Sequence, residues 1–420
     1  MKRIFISLFF FAFMWTAAGA DASPELLFVR WPANPDAVWY SFRIVPVTQH
    51  FGRKEMRPPI YEDGHVFRDS VMIEKEITDS YDGPGILCCQ VKAIGLDGQS
   101  ISAYSAPVPM EKAAQEMERY APKIRVKYHE QNGTVLLYPA YSFVKIPHAV
   151  SYEVEITDEE PENPDGCEPS VHRISQGVVT IPELFDELPR QGTVWWRVRG
   201  LDENGGPVGV WSEAEKIVND PAENWETGIL GDSISHGGGR MSYSPADWPY
   251  NYAYYLDFPT INMSRSGDKT EDLLRRFDED VLPFHVRYLL IMGGTNNLRS
   301  GGTAEEVISD LEALQEKCRD NDIKPVLLTI PPIAPERILK YYHQPTAENW
   351  KAEFDKVNGW IRTQTHIDTA APFAMYEDMP ENFAADGLHP DKEAKEKMGK
   401  IINEKFPFIR KKISETKIQK

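Results

Sequence analysis

The chain has 420 residues, with 41% hydrophobic, 11% aromatic and 26% charged residues beside 28 Gly and 32 Pro. That length is about three typical domains, and the composition excludes a single small module, a disordered chain and a collagen-like one. With 46 Lys+Arg against 64 Asp+Glu the formal net charge is -18, which repels a phosphate backbone at long range and excludes nucleic acid as the expected partner.

Residues 1–20 set Lys2 and Arg3 ahead of an apolar run from Ile4 to Trp15 and end in Ala18, Gly19 and Ala20. This is the three-part layout of a secretory signal peptide. The run is short for a bilayer span of about 20 residues, so cleavage is expected near Ala20 or Ala22, giving an exported protein, periplasmic or extracellular, without a membrane span. No cysteine follows closely enough for a lipoprotein anchor. Cys88, Cys89, Cys167 and Cys318 are too few for a disulfide framework in a chain of this size. Cys88 and Cys89 are neighbours in a strand-like run, point to opposite faces and read as buried free thiols. No CxxC pair or His/Cys cluster has zinc spacing, so no metal site is expected.

Residues 24–110 hold short apolar and aromatic runs broken by Pro, Gly and Asp, with helical periodicity only around Glu111 to Arg119. Residues 122–218 repeat the plan. The run from Trp39 to Ile44 is echoed by Ser151 to Ile156, and Val91 to Gly98 by Val198 to Gly205, so an internal duplication of an all-β unit is expected. Both units resemble fibronectin type III domains, through Trp31, a Tyr-rich strand, a Val-x-Ala/Gly strand, a Gly turn and the Val210-Trp211-Ser212 ending. Their expected role is a spacer and packing platform, with carbohydrate or partner binding as the alternative. In Trp195-Trp196, strand alternation buries at least one ring.

From Asn219 apolar runs alternate with helical segments. Thr227 to Leu230, Tyr288 to Met292 and Pro325 to Ile330 read as buried parallel strands that end in loops. Thr303-Ala304-Glu305-Glu306 is a capping box opening a helix with the stripe Ile308, Leu311 and Leu314; Trp350, Phe354, Val357 and Ile361 mark another. Trp248, Tyr252 and Tyr255 have helical spacing and read as the inner face of a helix. Strand-loop-helix alternation makes 219–420 a three-layer α/β domain.

Four blocks in this region carry chemistry. Gly231-Asp232-Ser233 follows a buried strand, where a serine can act as a nucleophile beside backbone N–H groups. Gly267, in the run Asn262 to Asp268, lets the backbone approach a substrate closely. Gly294-Thr295-Asn296 places a side-chain amide with two donor hydrogens after another strand. Asp386-Gly387-Leu388-His389 spaces a carboxylate to orient an imidazole that can take a proton. With these blocks in this order, residues 225–408 resemble the SGNH (GDSL-type) hydrolases. The resemblance implies a flavodoxin-like α/β/α fold, Ser233 as nucleophile, His389 as general base and acid, and Asp386 as its partner. It also implies an oxyanion hole from the Ser233 and Gly267 N–H groups and the Asn296 amide, with no metal or organic cofactor.

Two departures stand out. Asn297 replaces an Asp common in the family, and the loop after the nucleophile is His236-Gly237-Gly238-Gly239-Arg240, with His236 and Arg240 as candidate substrate contacts. Asp232 and Asp268 are expected to stabilise turns. Export and the β domains favour removal of acetyl or another short acyl group from carbohydrate. A lysophospholipase or thioesterase activity, and a catalytically silent glycan-binding protein, are the alternatives.

Overall fold

The computed structural model describes residues 25–34, 36–125, 133–223, 225–239 and 244–418. The expected signal peptide, residues 1–20, lies outside the described residues, as does Arg240.

Alternation along Trp39–His50 turns Tyr40, Phe42 and Ile44 inward, where they meet Leu27, Val29, Ile73 and Ala93. Leu26–Arg30 pairs antiparallel with Ser70–Glu74 and Ala114–Met117, while Trp39–His50 pairs with Tyr61–Phe67 and Ile86–Ile94. The following residues reuse that scheme. Ala140–Val144 pairs with Glu183–Phe185 and Lys123–Ile124, and Ser151–Thr157 with Arg173–Val179 and Gly192–Leu201. Trp196 is buried against Tyr141, whereas Trp195 is half-exposed beneath Lys216. The four cysteines are unpaired, with Cys88 and Cys89 buried.

The helical periodicity around Glu111 to Arg119 resolves differently. One turn, Met110–Ala113, leads into the strand Ala114–Met117, which pairs along Leu26–Val29. The hydrogen bonds of an open sheet edge outweigh a weak local helix preference.

The C-terminal region is built on a six-stranded parallel sheet in the order Val135–Leu136, Ile261–Asn262, Thr227–Gly231, Tyr288–Met292, Lys324–Leu328 and His366–Ile367. Alternate residues of its central strands enter opposite cores. Leu230, Leu289, Ile291 and Leu327 meet Leu273, Phe277, Leu311, Phe354 and Val357, from the helices Thr270–Asp280, Ala304–Asp320 and Trp350–Ile361. Ile229, Leu290, Met292 and Leu328 meet Met398, Ile402 and Phe406 of the helix Lys392–Ile418. The Thr303 capping box forms, with the Glu306 N–H donating to Thr303 Oγ1 at 3.2 Å and the Thr303 N–H to Glu306 Oε2 at 2.9 Å.

The β-rich region is tied into this sheet. Its Val135–Leu136 segment supplies an edge strand, with Val135 in the same core as Ile261 and Phe284. Arg68 pairs with Glu183 at 2.8 Å and also with Asp247, joining both β units to the segment after the Ser233 loop. In that segment the aromatic helix is replaced by two 3-10 turns, Trp248–Tyr250 and Tyr252–Tyr255. They break at Asn251, whose Oδ1 accepts from the Ala253 N–H at 2.8 Å and whose Nδ2 donates to the His236 carbonyl at 2.9 Å. Tyr252 is buried in the C-terminal core, while Tyr250 packs against the first β unit.

Candidate active site

Ile261–Asn262, Thr227–Gly231 and Tyr288–Met292 are adjacent parallel strands with Thr227–Gly231 in the middle. Parallel strands deliver the loops that follow them to one edge of the sheet, so Gly267, Ser233 and Asn296 emerge there with Ser233 central. At Gly231 a Cβ would lie 2.6 Å from the Met292 carbonyl oxygen and 2.6 Å from Ser235 Oγ, so the close approach of these strands admits only glycine. Asp232 then caps the turn Ser233–His236 by accepting from the Ile234 N–H at 2.9 Å.

Ser233 Oγ lies 3.0 Å from His389 Nε2, and His389 Nδ1 lies 2.9 Å from Asp386 Oδ2. The Asp386 carboxylate is buried and accepts from every side. Its Oδ1 takes the Leu388 N–H at 2.7 Å and the His389 N–H at 2.8 Å, and its Oδ2 also takes the Tyr342 hydroxyl at 2.8 Å. Burial by itself raises a carboxyl pKa, but the facing His389 charge, the His389 hydrogen bond and the two backbone N–H groups outweigh it and hold Asp386 below the ordinary range. An ionised Asp386 keeps the proton on His389 Nδ1, which leaves the Nε2 lone pair toward Ser233.

Gly267 is the third residue of the turn closed by the Asp268 N–H on the Arg265 carbonyl at 3.3 Å, and its φ of +91° suits glycine. Asn296 Nδ2 donates to the Asp268 carbonyl at 2.9 Å, and Asn296 Oδ1 accepts from Arg299 Nε at 3.2 Å. Among the described residues the N–H groups of Ser233 and Gly267 and the second Asn296 amide hydrogen have no protein acceptor. Such donors can stabilise an oxyanion.

The structure places His236 away from a substrate-contact role. It is buried, its Nε2 donates to the Tyr138 carbonyl at 2.7 Å, and its Nδ1 accepts from the Ser266 N–H at 3.2 Å. Burial, with Arg276, Lys395 and Arg265 nearby, lowers its pKa to about 4, so the ring is neutral and links the Ser233 turn, the Gly267 loop and the β-rich region. Asn297 accepts from the Thr270 N–H at 3.0 Å and donates to Glu271 at 2.8 Å, so the amide bridges two partners. Asp268 accepts from Arg265 at 2.9 Å and Arg276 at 2.6 Å.

Sequence reasoning missed Tyr342, Arg299 and Lys395. Lys395 is buried and donates to the Ile234 carbonyl; burial lowers its pKa and raises that of Asp232. No signal short of the fold marks these residues, since each belongs to an ordinary polar or amphipathic stretch. Among the described residues no group of three His, Cys, Asp or Glu side chains could hold a metal ion, and no helix is long and apolar enough to cross a membrane.

Residues 229–397 match the GDSL-like Lipase/Acylhydrolase family. No curated protein matches the chain. Among solved structures, the chain is similar to a GDSL-like lipase from Bacteroides thetaiotaomicron, at 18% identity over 45% of this chain and 90% of that one, with a TM-score of 0.37. A lipase/acylhydrolase from Enterococcus faecalis is 25% identical over 43% of this chain and 94% of its own, with a TM-score of 0.35. An acetyl-xylooligosaccharide esterase from Geobacillus Stearmophilus is 17% identical over 42% and 92%, with a TM-score of 0.32.

Proposed function

We propose, from a C-terminal region that is a GDSL-like lipase/acylhydrolase domain and makes this protein a hydrolase, that the chain is a serine esterase acting through Ser233, His389 and Asp386. The hydrogen-bonded line from Ser233 Oγ through His389 to Asp386, at 3.0 and 2.9 Å, carries the reading. Ser233 Oγ attacks the ester carbonyl carbon and its proton passes to His389 Nε2. The oxyanion that forms is met by the N–H groups of Ser233 and Gly267 and by the Asn296 amide. As the carbon–oxygen bond to the alcohol breaks, His389 returns the proton to that alcohol. Water then attacks the acyl-enzyme, giving a proton to His389, and the acid leaves as Ser233 recovers its hydrogen. Asp386 stays ionised throughout and balances the transient imidazolium.

Short acyl groups, acetyl above all, on carbohydrate are the proposed substrates. Arg299 bonds Asn296 Oδ1 at 3.2 Å and Gln344 at 3.3 Å, and this polar pair beside the Asn296 amide supports a small polar ester over a long acyl chain. The proposed architecture is two fibronectin type III-like sandwiches at 24–110 and 122–218 and a three-layer α/β/α, flavodoxin-like domain at 219–420. The repeated pairing scheme and the two cores on opposite faces of the parallel sheet support it. Export, with cleavage of residues 1–20, completes the reading.

Hydrolysis of p-nitrophenyl acetate, butyrate and decanoate by the parent and Ser233→Ala chains tests the proposal. Acetate is expected to turn over fastest, with activity lost in the variant. Preference for decanoate would refute the short-acyl reading, and undiminished activity in the variant would refute the serine mechanism.

A further inference from the structure

The helix Pro335–Tyr342 brings its last residue to the Nδ1 side of His389. The Tyr342 hydroxyl donates to Asp386 Oδ2 at 2.8 Å and its oxygen lies 3.2 Å from His389 Nδ1, while Nδ1 is 2.9 Å from the same Oδ2. The three polar atoms form a closed triangle. The two rings also meet edge to face, with centroids 6.2 Å apart and planes at 68°. Because Asp386 Oδ1 already holds two backbone donors, Tyr342 completes the carboxylate's set of four.

We infer that Tyr342 is a positioning residue for the reaction. Its hydroxyl holds Asp386 and His389 in one geometry and sets the pH at which His389 accepts the Ser233 proton. The inference rests on the reading of Ser233, His389 and Asp386 as the reacting line. A hydrogen bond to a carboxylate disperses its charge, so a carboxylate that also binds Tyr342 pulls less strongly on the Nδ1 proton and leaves Nε2 less basic. Removing the oxygen also removes a weak acceptor near Nδ1, which acts in the opposite sense. The donation to Oδ2 is the shorter contact, at 2.8 Å against 3.2 Å, and dominates. The other charged groups around this cluster are Asp232, facing His389, Lys395, facing Asp232, Asp386 and Asp391, and Arg299, facing Tyr342 and Asp232. Tyr342→Phe changes none of them, so the variant isolates the hydroxyl.

Tyr342→Phe keeps the ring and its edge contact. The acid limb of kcat/KM for p-nitrophenyl acetate is expected to move up by about half a pH unit, with kcat reduced about tenfold and KM unchanged. A proton NMR titration of His389 in the full chain, assigned with His389→Gln, is expected to move the same way without any substrate. A limb and titration that stay in place or move down, with or without a fall in kcat, overturn the inference. A parent chain inactive on every ester overturns the esterase reading instead, and the two failures are told apart by the parent's own activity.

Discussion

Acidification of the buried His236 ring gives the sharpest energetic prediction. The ring is 3% exposed and lies between the Tyr138 carbonyl and the Ser266 N–H. Its pKa, lowered by burial first and by Arg276, Lys395 and Arg265 after it, is about 4 in the folded chain. An unfolded histidine titrates near ~6.5. Above that value both states are neutral and the term vanishes. As the pH falls below it, the unfolded chain binds a proton that the folded chain refuses until about 4, so stability drains away through this window. At roughly 1.4 kcal/mol per pH unit the loss comes to roughly 3 kcal/mol. His236→Gln removes the titration while keeping a donor and an acceptor, and titrations elsewhere cancel between the two chains. Opening free energies from hydrogen exchange in peptides covering 227–231 and 288–292, corrected for intrinsic rates at pH 7 and pH 4, measure the difference. The parent is expected to lose roughly 3 kcal/mol more than the variant on acidification. Equal losses in the two chains would refute the reasoning.

Two further substitutions probe the loops around Ser233. Asn296→Ala removes the amide that also bonds to the Asp268 carbonyl and Arg299; kcat is expected to fall about 100- to 1000-fold with KM little changed, measured on p-nitrophenyl acetate. Gly231→Ala would put a methyl 2.6 Å from the Met292 carbonyl and Ser235 Oγ. Thermal unfolding should report a loss of about 2 kcal/mol or more.

What was legible in the sequence was what local chemistry writes there. Gly231-Asp232-Ser233, Asn296 and Asp386-x-x-His389 are short motifs, and the apolar runs at 227–230 and 288–292, each leading into glycine, read as buried strands. The capping box at Thr303 likewise needs no information from beyond its own turn. Tyr342 was illegible because its partners lie 44 and 47 residues away in sequence, and nothing in Pro335–Tyr342 marks a helix end that meets a histidine. The strand Val135–Leu136 has two residues, too few for any periodicity, and its place is decided by the exposed edge of Ile261–Asn262. The aromatics from Trp248 to Tyr255 keep helical spacing, yet Asn251 bonds to its neighbours' backbone and splits them into two turns. His236 has the appearance of a substrate contact until its two backbone partners, one of them 98 residues distant, are known.

Every step proposed for the reaction depends on Ser233 as the nucleophile. The most direct test of that role is covalent labelling of the parent chain with a fluorophosphonate, followed by peptide mass spectrometry. One adduct on the peptide containing Ser233 is expected, formed in step with loss of p-nitrophenyl acetate hydrolysis and absent from Ser233→Ala. Hydrolysis that persists in a fully labelled chain, or an inactivating adduct on any other residue, would contradict it.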